Sequence, residues 1–194
     1  MSKRSKRIAA KIVSIVTLVP VVAAATTTWI YAEYSELFVN KWWYIYSLLF
    51  LVFIPISAYP LKYLFPSIME QGRKGERKLA FITSIIGYVL GTILCFILRG
   101  SDIVIEIFLA YLFSGIVLSF INKVIKFKAS GHACGISGPL TLLIYFIGWR
   151  AIWTAVLLPL VYWSREQLGR HTNKELIVGT LVGVFSSLFA LVII

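Results

Sequence analysis

IVIEIFLAYLFSGIVLSFIN, residues 103–122, decides the fold class. Its one charged residue is Glu106. An α-helix rises about 1.5 Å per residue, so this stretch covers roughly the 30 Å of a bilayer's hydrocarbon core. Its apolar residues do not alternate with polar ones, as the strands of a membrane barrel would. Without water to satisfy the backbone, helices are the remaining way to span lipid.

Reading outward, six more apolar segments flank it. They lie at about 8–32, 42–65 and 79–98 on one side, and at about 133–148, 151–163 and 175–194 on the other. The chain is 59% hydrophobic and 14% charged, whereas soluble domains carry about 25% charged residues. We expect an all-α polytopic transmembrane bundle of about six to seven membrane helices. It forms one integral-membrane domain, 1–194, with N-terminal helices and a basic loop in 1–100 and a motif-bearing core in 101–194.

The opening MSKRSKR resembles the start of a signal peptide, but the apolar run behind it continues to about Ala32. That is long for a cleaved segment, so a retained first helix is expected, with cleavage as the alternative. Gly87 and Gly91, and Gly179 and Gly183, form small faces for close helix contact. Cys95 and Cys134 match no metal spacing and read as packing residues. Glu106 is expected to pair with Arg99 or Arg150, and Pro139 and Pro159 to bend the two short segments that hold them. Those segments, 133–148 and 151–163, hang from one shallow turn, with a re-entrant pair as the alternative.

Seven crossings put the N-terminus, loop 66–78 and both histidines on one side. Lys41, Arg99 and Arg150 fall on the other, and the remaining 16 of the 19 cations share the histidine side. Short loops rich in Lys and Arg stay cytoplasmic, so that side is expected to face the cytoplasm of the cell membrane. The net charge of +11 then reflects orientation and an anionic ligand or lipid surface. Nucleic acid is a poor fit, because no soluble domain is left to hold it.

The only histidines, His132 and His171, each stand at the border of an apolar segment. Ser130-Gly131-His132 directly precedes a helix, whose free amides can receive an anion while glycine permits close approach. Arg165 offers a fork for two phosphate oxygens, His132 a proton for a leaving oxygen, and His171 a nucleophile or base. The plainer reading is that each is an interface residue reaching for water.

Ser164 to Glu175 resembles the third signature of the type-2 phosphatidic acid phosphatase and vanadium haloperoxidase superfamily, S-R-x-x-x-x-x-H-x-x-x-D. Ser164, Arg165 and His171 are in register, and Glu175 stands where the family has Asp. Ser130-Gly131-His132 resembles its second signature, P-S-G-H, with Ala129 in place of Pro. The first signature, K-x-x-x-x-x-x-R-P, is absent, which makes this a compact variant.

The resemblance implies that His171 attacks phosphorus, His132 protonates the leaving group, and Arg165, Ser130 and the Gly131 amide hold phosphoryl oxygens. Glu175 would orient the His171 ring, or serve only as an acid at the helix start. Neither a metal nor any other cofactor is implied. Lys128, then Lys123, are the expected replacements for the missing first-signature lysine, and Arg77 for its arginine. The partners implied are the lipid bilayer and a lipid phosphate, an isoprenoid diphosphate or a phosphatidate-like lipid, with the isoprenoid preferred. The alternatives are a lipid-phosphate binding or transport protein without turnover, and a phosphotransferase.

Overall fold

A computed structural model describes residues 2–194, and those residues form helices joined by short turns, without a strand. The elements are α1 (Lys3–Val16), α2 (Val19–Glu33), α3 (Lys41–Leu64, with a π-helical stretch at Leu49–Phe53), α4 (Pro66–Glu70), α5 (Arg73–Ile97), α6 (Asp102–Lys123), α7 (Gly131–Ile147), α8 (Leu157–Gln167) and α9 (Asn173–Ile193). Five helical stretches are long and apolar enough to cross a membrane, or six with the bent pair α1–α2. The chain is therefore an all-α helical bundle of membrane type.

The expected first helix is two. Helices α1 and α2 are bent by 52° at a short break. Pro20 lies in the first turn of α2, where its missing N–H costs nothing, whereas inside a continuous helix it would remove a hydrogen bond. Helix α1 carries Ala10 and Ser14 on its inner face and Ile8, Ile12 and Ile15 outside, among Lys3, Arg4, Arg7 and Lys11. It packs mainly against α8, across the end of the bundle.

Residues 131–167 run for 37 residues, which as one straight helix would be roughly 55 Å, far beyond the bilayer core. They double back instead. Gly148, at φ 75, ends α7, and the 3₁₀ segment Gly148–Val156 leads into α8. The turn is level with the end of α2: Arg150 forks onto Glu33 at 2.9 and 3.2 Å, and the Trp29 and Trp153 rings lie 5.8 Å apart. At the opposite end the Ser130 N–H donates to the Glu175 carbonyl at 3.0 Å. The α7–α8 hairpin thus leaves the motif end and returns to it. Loop 66–78 and both histidine motifs share one end with α1, while Lys41, Arg99 and Arg150 stand near the other.

Arg150 is taken by Glu33, so the expected pairing with Glu106 does not form, and Glu106 makes no ion pair with Arg99 either among the described residues. Cys95 and Cys134 are buried and unpaired. The core gathers α2, α3, α5 and α6 around Phe108, with Tyr46 and Phe50 against its ring and the Tyr46 hydroxyl donating to the Gly91 carbonyl at 2.6 Å. The outer shell is apolar, as lipid requires.

Glycine sets the helix contacts that hold the motif end. Gly179 of α9 lies directly on the Ser130 backbone, and Gly183 on the Cys134 carbonyl and Ser137. Any side chain at 179 would push α9 from Ser130 and weaken the bond joining the two motifs. Gly179→Ala is expected to destabilise the protein by about 1–3 kcal/mol, the usual cost of overpacking. Thermal unfolding in detergent checks this, with Ile177→Ala as a lipid-side control. An unchanged midpoint for Gly179→Ala contradicts the contact.

Candidate active site

Three chain segments form the site. The turn Ala129–His132 starts α7, the stretch Ser164–Glu175 joins α8 to α9, and α1 lies over both. Ser130 caps α7: its hydroxyl accepts the Ala133 N–H at 3.3 Å and is fully buried, outside the cavity lining. The expected phosphate donor thus serves the helix start. Gly131 and His132 do line the cavity. A side-chain carbon at Gly131 would meet only Leu118, at an ordinary 3.5 Å.

Glu175 performs two tasks. It completes a capping box with Thr172, and its Oε2 lies 2.8 Å from His171 Nδ1. Its extra methylene relative to Asp therefore does not prevent contact with the ring. A carboxylate only accepts, so Nδ1 carries the proton and Nε2 keeps its lone pair. Lys128 lies nearby. Its Nζ donates to the Arg170 carbonyl at 2.8 Å and is 3.7 Å from Glu175 Oε2, so it braces the motif as well as lining the cavity.

Arg165 is 3% exposed and has no carboxylate partner among the described residues. Its guanidinium donates to Ser14 Oγ at 2.8 Å, and Arg170 donates to the same oxygen at 2.9 Å. The Nε of each arginine is buried without a partner among the described residues. His132 Nε2 lies 3.3 Å from the Ser14 carbonyl, and the Ser164 hydroxyl donates to the Ala10 carbonyl at 2.7 Å. Helix α1 is thus bound to the motifs through its backbone and one serine.

These groups open on a cavity of about 1270 Å³. Its cationic lining comprises Lys11, Arg73, Lys74, Arg77, Lys78, Lys123, Lys128, Arg165 and Arg170. Its one acidic lining residue, Glu76, is joined to Lys62 at 2.6 Å. Arg73 and Arg77 have no hydrogen-bond or ion-pair partner among the described residues, whereas Lys123 lies over the Phe81 ring at 5.5 Å. Such a cluster of like charge, with Arg165 buried at its inner end, attracts an anion. Arg170, Lys11 and Ser14 were not foreseen. Arg170 had a signal, a cation directly before His171. Ser14 and Lys11 had none linking them to motifs over 100 residues away.

Comparison with protein-family models, with curated proteins and with solved structures finds no match for this chain. The functional reading therefore rests on geometry and motif spacing.

Burial pushes the His171 imidazole below its ordinary value. The Glu175 hydrogen bond and charge oppose this, while Arg165 and Lys128 add to it. The neutral ring, with Nε2 free, thus persists to lower pH than an exposed histidine allows. Its titration is expected below about 6.5, and lower still in Glu175→Gln, which removes the negative charge and leaves only a neutral acceptor for Nδ1–H. NMR of the imidazole protons, read against His132→Ala for assignment, checks the order. A rise in the Glu175→Gln protein contradicts this electrostatic account.

Proposed function

We propose that this chain is a multi-pass membrane phosphatase that hydrolyses a lipid phosphate or diphosphate through a phosphohistidine at His171. The observation that carries the reading is Arg165, a buried guanidinium without a counter-ion, in an anion-attracting cavity whose nucleophile candidate is already held by Glu175. It accords with the resemblance to the phosphatidic acid phosphatase superfamily at Ser164, Arg165 and His171, with Glu175 in the place of the family's Asp.

The chemistry follows from the atoms present. The Nε2 lone pair of His171 attacks phosphorus, and the bond to the leaving oxygen breaks. His132, which enters the step as the imidazolium once the bound phosphate's negative charge offsets the neighbouring arginines, gives that oxygen a proton and becomes neutral, and its contact with the Ser14 carbonyl yields to the substrate. Arg165, Arg170 and Arg77 hold the equatorial oxygens as charge shifts onto them. Glu175 stabilises the positive ring that forms. Water then attacks phosphorus, His132 takes a proton from it, and the P–N bond breaks to return neutral His171. A monoester yields an alcohol and inorganic phosphate. A diphosphate yields a lipid monophosphate and inorganic phosphate.

The membrane is the cell membrane, and the motif end faces the cytoplasm. Its support is the distribution of cations, with 16 of 19 toward that end. A cysteine at Asn173, in a background lacking Cys95 and Cys134, should escape an impermeant thiol reagent in intact cells. Labelling there refutes the orientation.

The test of function is phosphate release from lipid phosphates by the purified protein. His171→Ala and His132→Ala should abolish turnover. Arg165→Ala should lower kcat/KM by an amount typical of a lost oriented donor, about 2.7–4 kcal/mol. Arg77→Ala should cost roughly 10-fold or more, about 1.4 kcal/mol, with Arg77→Lys restoring part, while Lys74→Ala stays near wild type. Wild-type rates in either histidine variant exclude the mechanism. Equal, mild effects at Arg77 and Lys74 make that loop an anchor only. Phosphate binding without release points to a binding protein.

A further inference from the structure

The cavity does not stop at the cations. From Lys123 it follows α6 inward past Tyr111 to Ala110, and from Gly131 it follows α7 to Leu142. Thirteen residues of α6 and eleven of α7 give depths of roughly 20 and 17 Å, over half of the hydrocarbon core. Tyr88 of α5 closes the third side. Apart from the tyrosine hydroxyls and a few serines this inner arm is apolar. Helical interiors are close-packed, and an unfilled apolar space is costly. The arm also points the right way: a lipid held by its phosphate at the cationic mouth would send its tail toward the mid-plane, as it does in the bilayer.

We propose that the inner arm is a tail slot inside the bundle, and that the substrate is a single-chain lipid phosphate whose far end reaches Ala110 and Leu142. This rests on the phosphatase reading for turnover but not for binding. The arm lies among α5, α6 and α7, with Val19 and Pro20 of α2, Pro55 of α3 and Ser187 of α9 completing its wall, and a space so enclosed admits one chain end-on. A two-tailed lipid must leave its second chain outside, and loses the contacts that chain would have made. Ala110 and Leu142 then act as a length gauge: enlarging Ala110 shortens the slot, and trimming Leu142 deepens it.

The test uses a single-chain alkyl phosphonate, which cannot be hydrolysed at its P–C bond, with a photoreactive diazirine at the tail end. It is added to the full-length protein in detergent. Crosslinks mapped by mass spectrometry should fall on the segments around Ala110 and Leu142, and excess inorganic phosphate should suppress them. In Ala110→Leu they should drop by roughly 10-fold or more, the scale of an overpacked site. In Leu142→Ala they should persist with a longer chain that labels the wild type poorly. Crosslinks confined to lipid-facing residues such as Ile86, Leu90 and Ile93, or labelling unchanged in both variants, overturn the slot. Turnover adds a second arm. Ala110→Leu should spare short single-chain substrates, which also reports that it folds, and should slow long ones. Diacyl phosphates should be poor substrates for the wild type, and turnover as fast as a single-chain substrate overturns the single-chain claim. If the tail crosslinks as expected but no phosphate is released from any lipid, the slot stands and the phosphatase reading fails.

Discussion

A buried guanidinium needs a negative partner, and Arg165 has none among the described residues. Leaving one charge buried and uncompensated is among the more expensive things a fold can do. Here Ser14 supplies a neutral oxygen to Arg165 and Arg170 together, which satisfies single donors and neutralises neither charge. Arg73 and Arg77 face the same space without partners. The fold thus keeps a standing demand for an anion at one end of the bundle. Around that demand stand a helix start, a histidine hydrogen-bonded to a carboxylate, and a second histidine.

The scaffold makes this possible by returning the chain to its starting level. The α7–α8 hairpin leaves the motif end at Ser130 and comes back at Arg165, and the Ser130 N–H then ties to the Glu175 carbonyl. Gly179 removes the side chain that would hold the two segments apart. Helix α1 completes the arrangement from outside. Its cations and isoleucines suit a lipid surface, and its inner face bonds to Ser164, Arg165, Arg170 and His132. The end of the bundle is therefore closed by a helix held chiefly through the residues of the site.

Much of this was legible in the sequence because it depends on local rules. Apolar length gave the helices, glycine pairs gave their contacts, and the spacing of Ser164, Arg165 and His171 is a matter of residues on one short stretch. Glu175 at four residues from His171 is also local, which is why the two meet. The remainder is set by tertiary packing. Pro20 was visible, but its break matters only because α1 then turns across the site. Ser14 carries no motif and becomes central through a contact with residues about 150 positions away. Arg150 was matched with the wrong acid because Glu33 comes to it through the length of α2, which no short-range pattern reports. Ser130 lies where the motif places it, yet its hydroxyl turns to the helix start rather than to the cavity.

The central claim is that the charge at Arg165 and the free nitrogen of His171 are complementary to one phosphoryl group in transfer. Orthovanadate tests it most directly, because its five-coordinate adduct imitates that group and transition-state mimics bind far more tightly than substrates. A structure of the protein with vanadate should show vanadium bonded to His171 Nε2, its equatorial oxygens on Arg165 and Arg170, and Ser14 displaced from between the two arginines. Vanadate bound elsewhere, or a His171 ring with no bond to vanadium while Arg165 still rests on Ser14, would contradict the account.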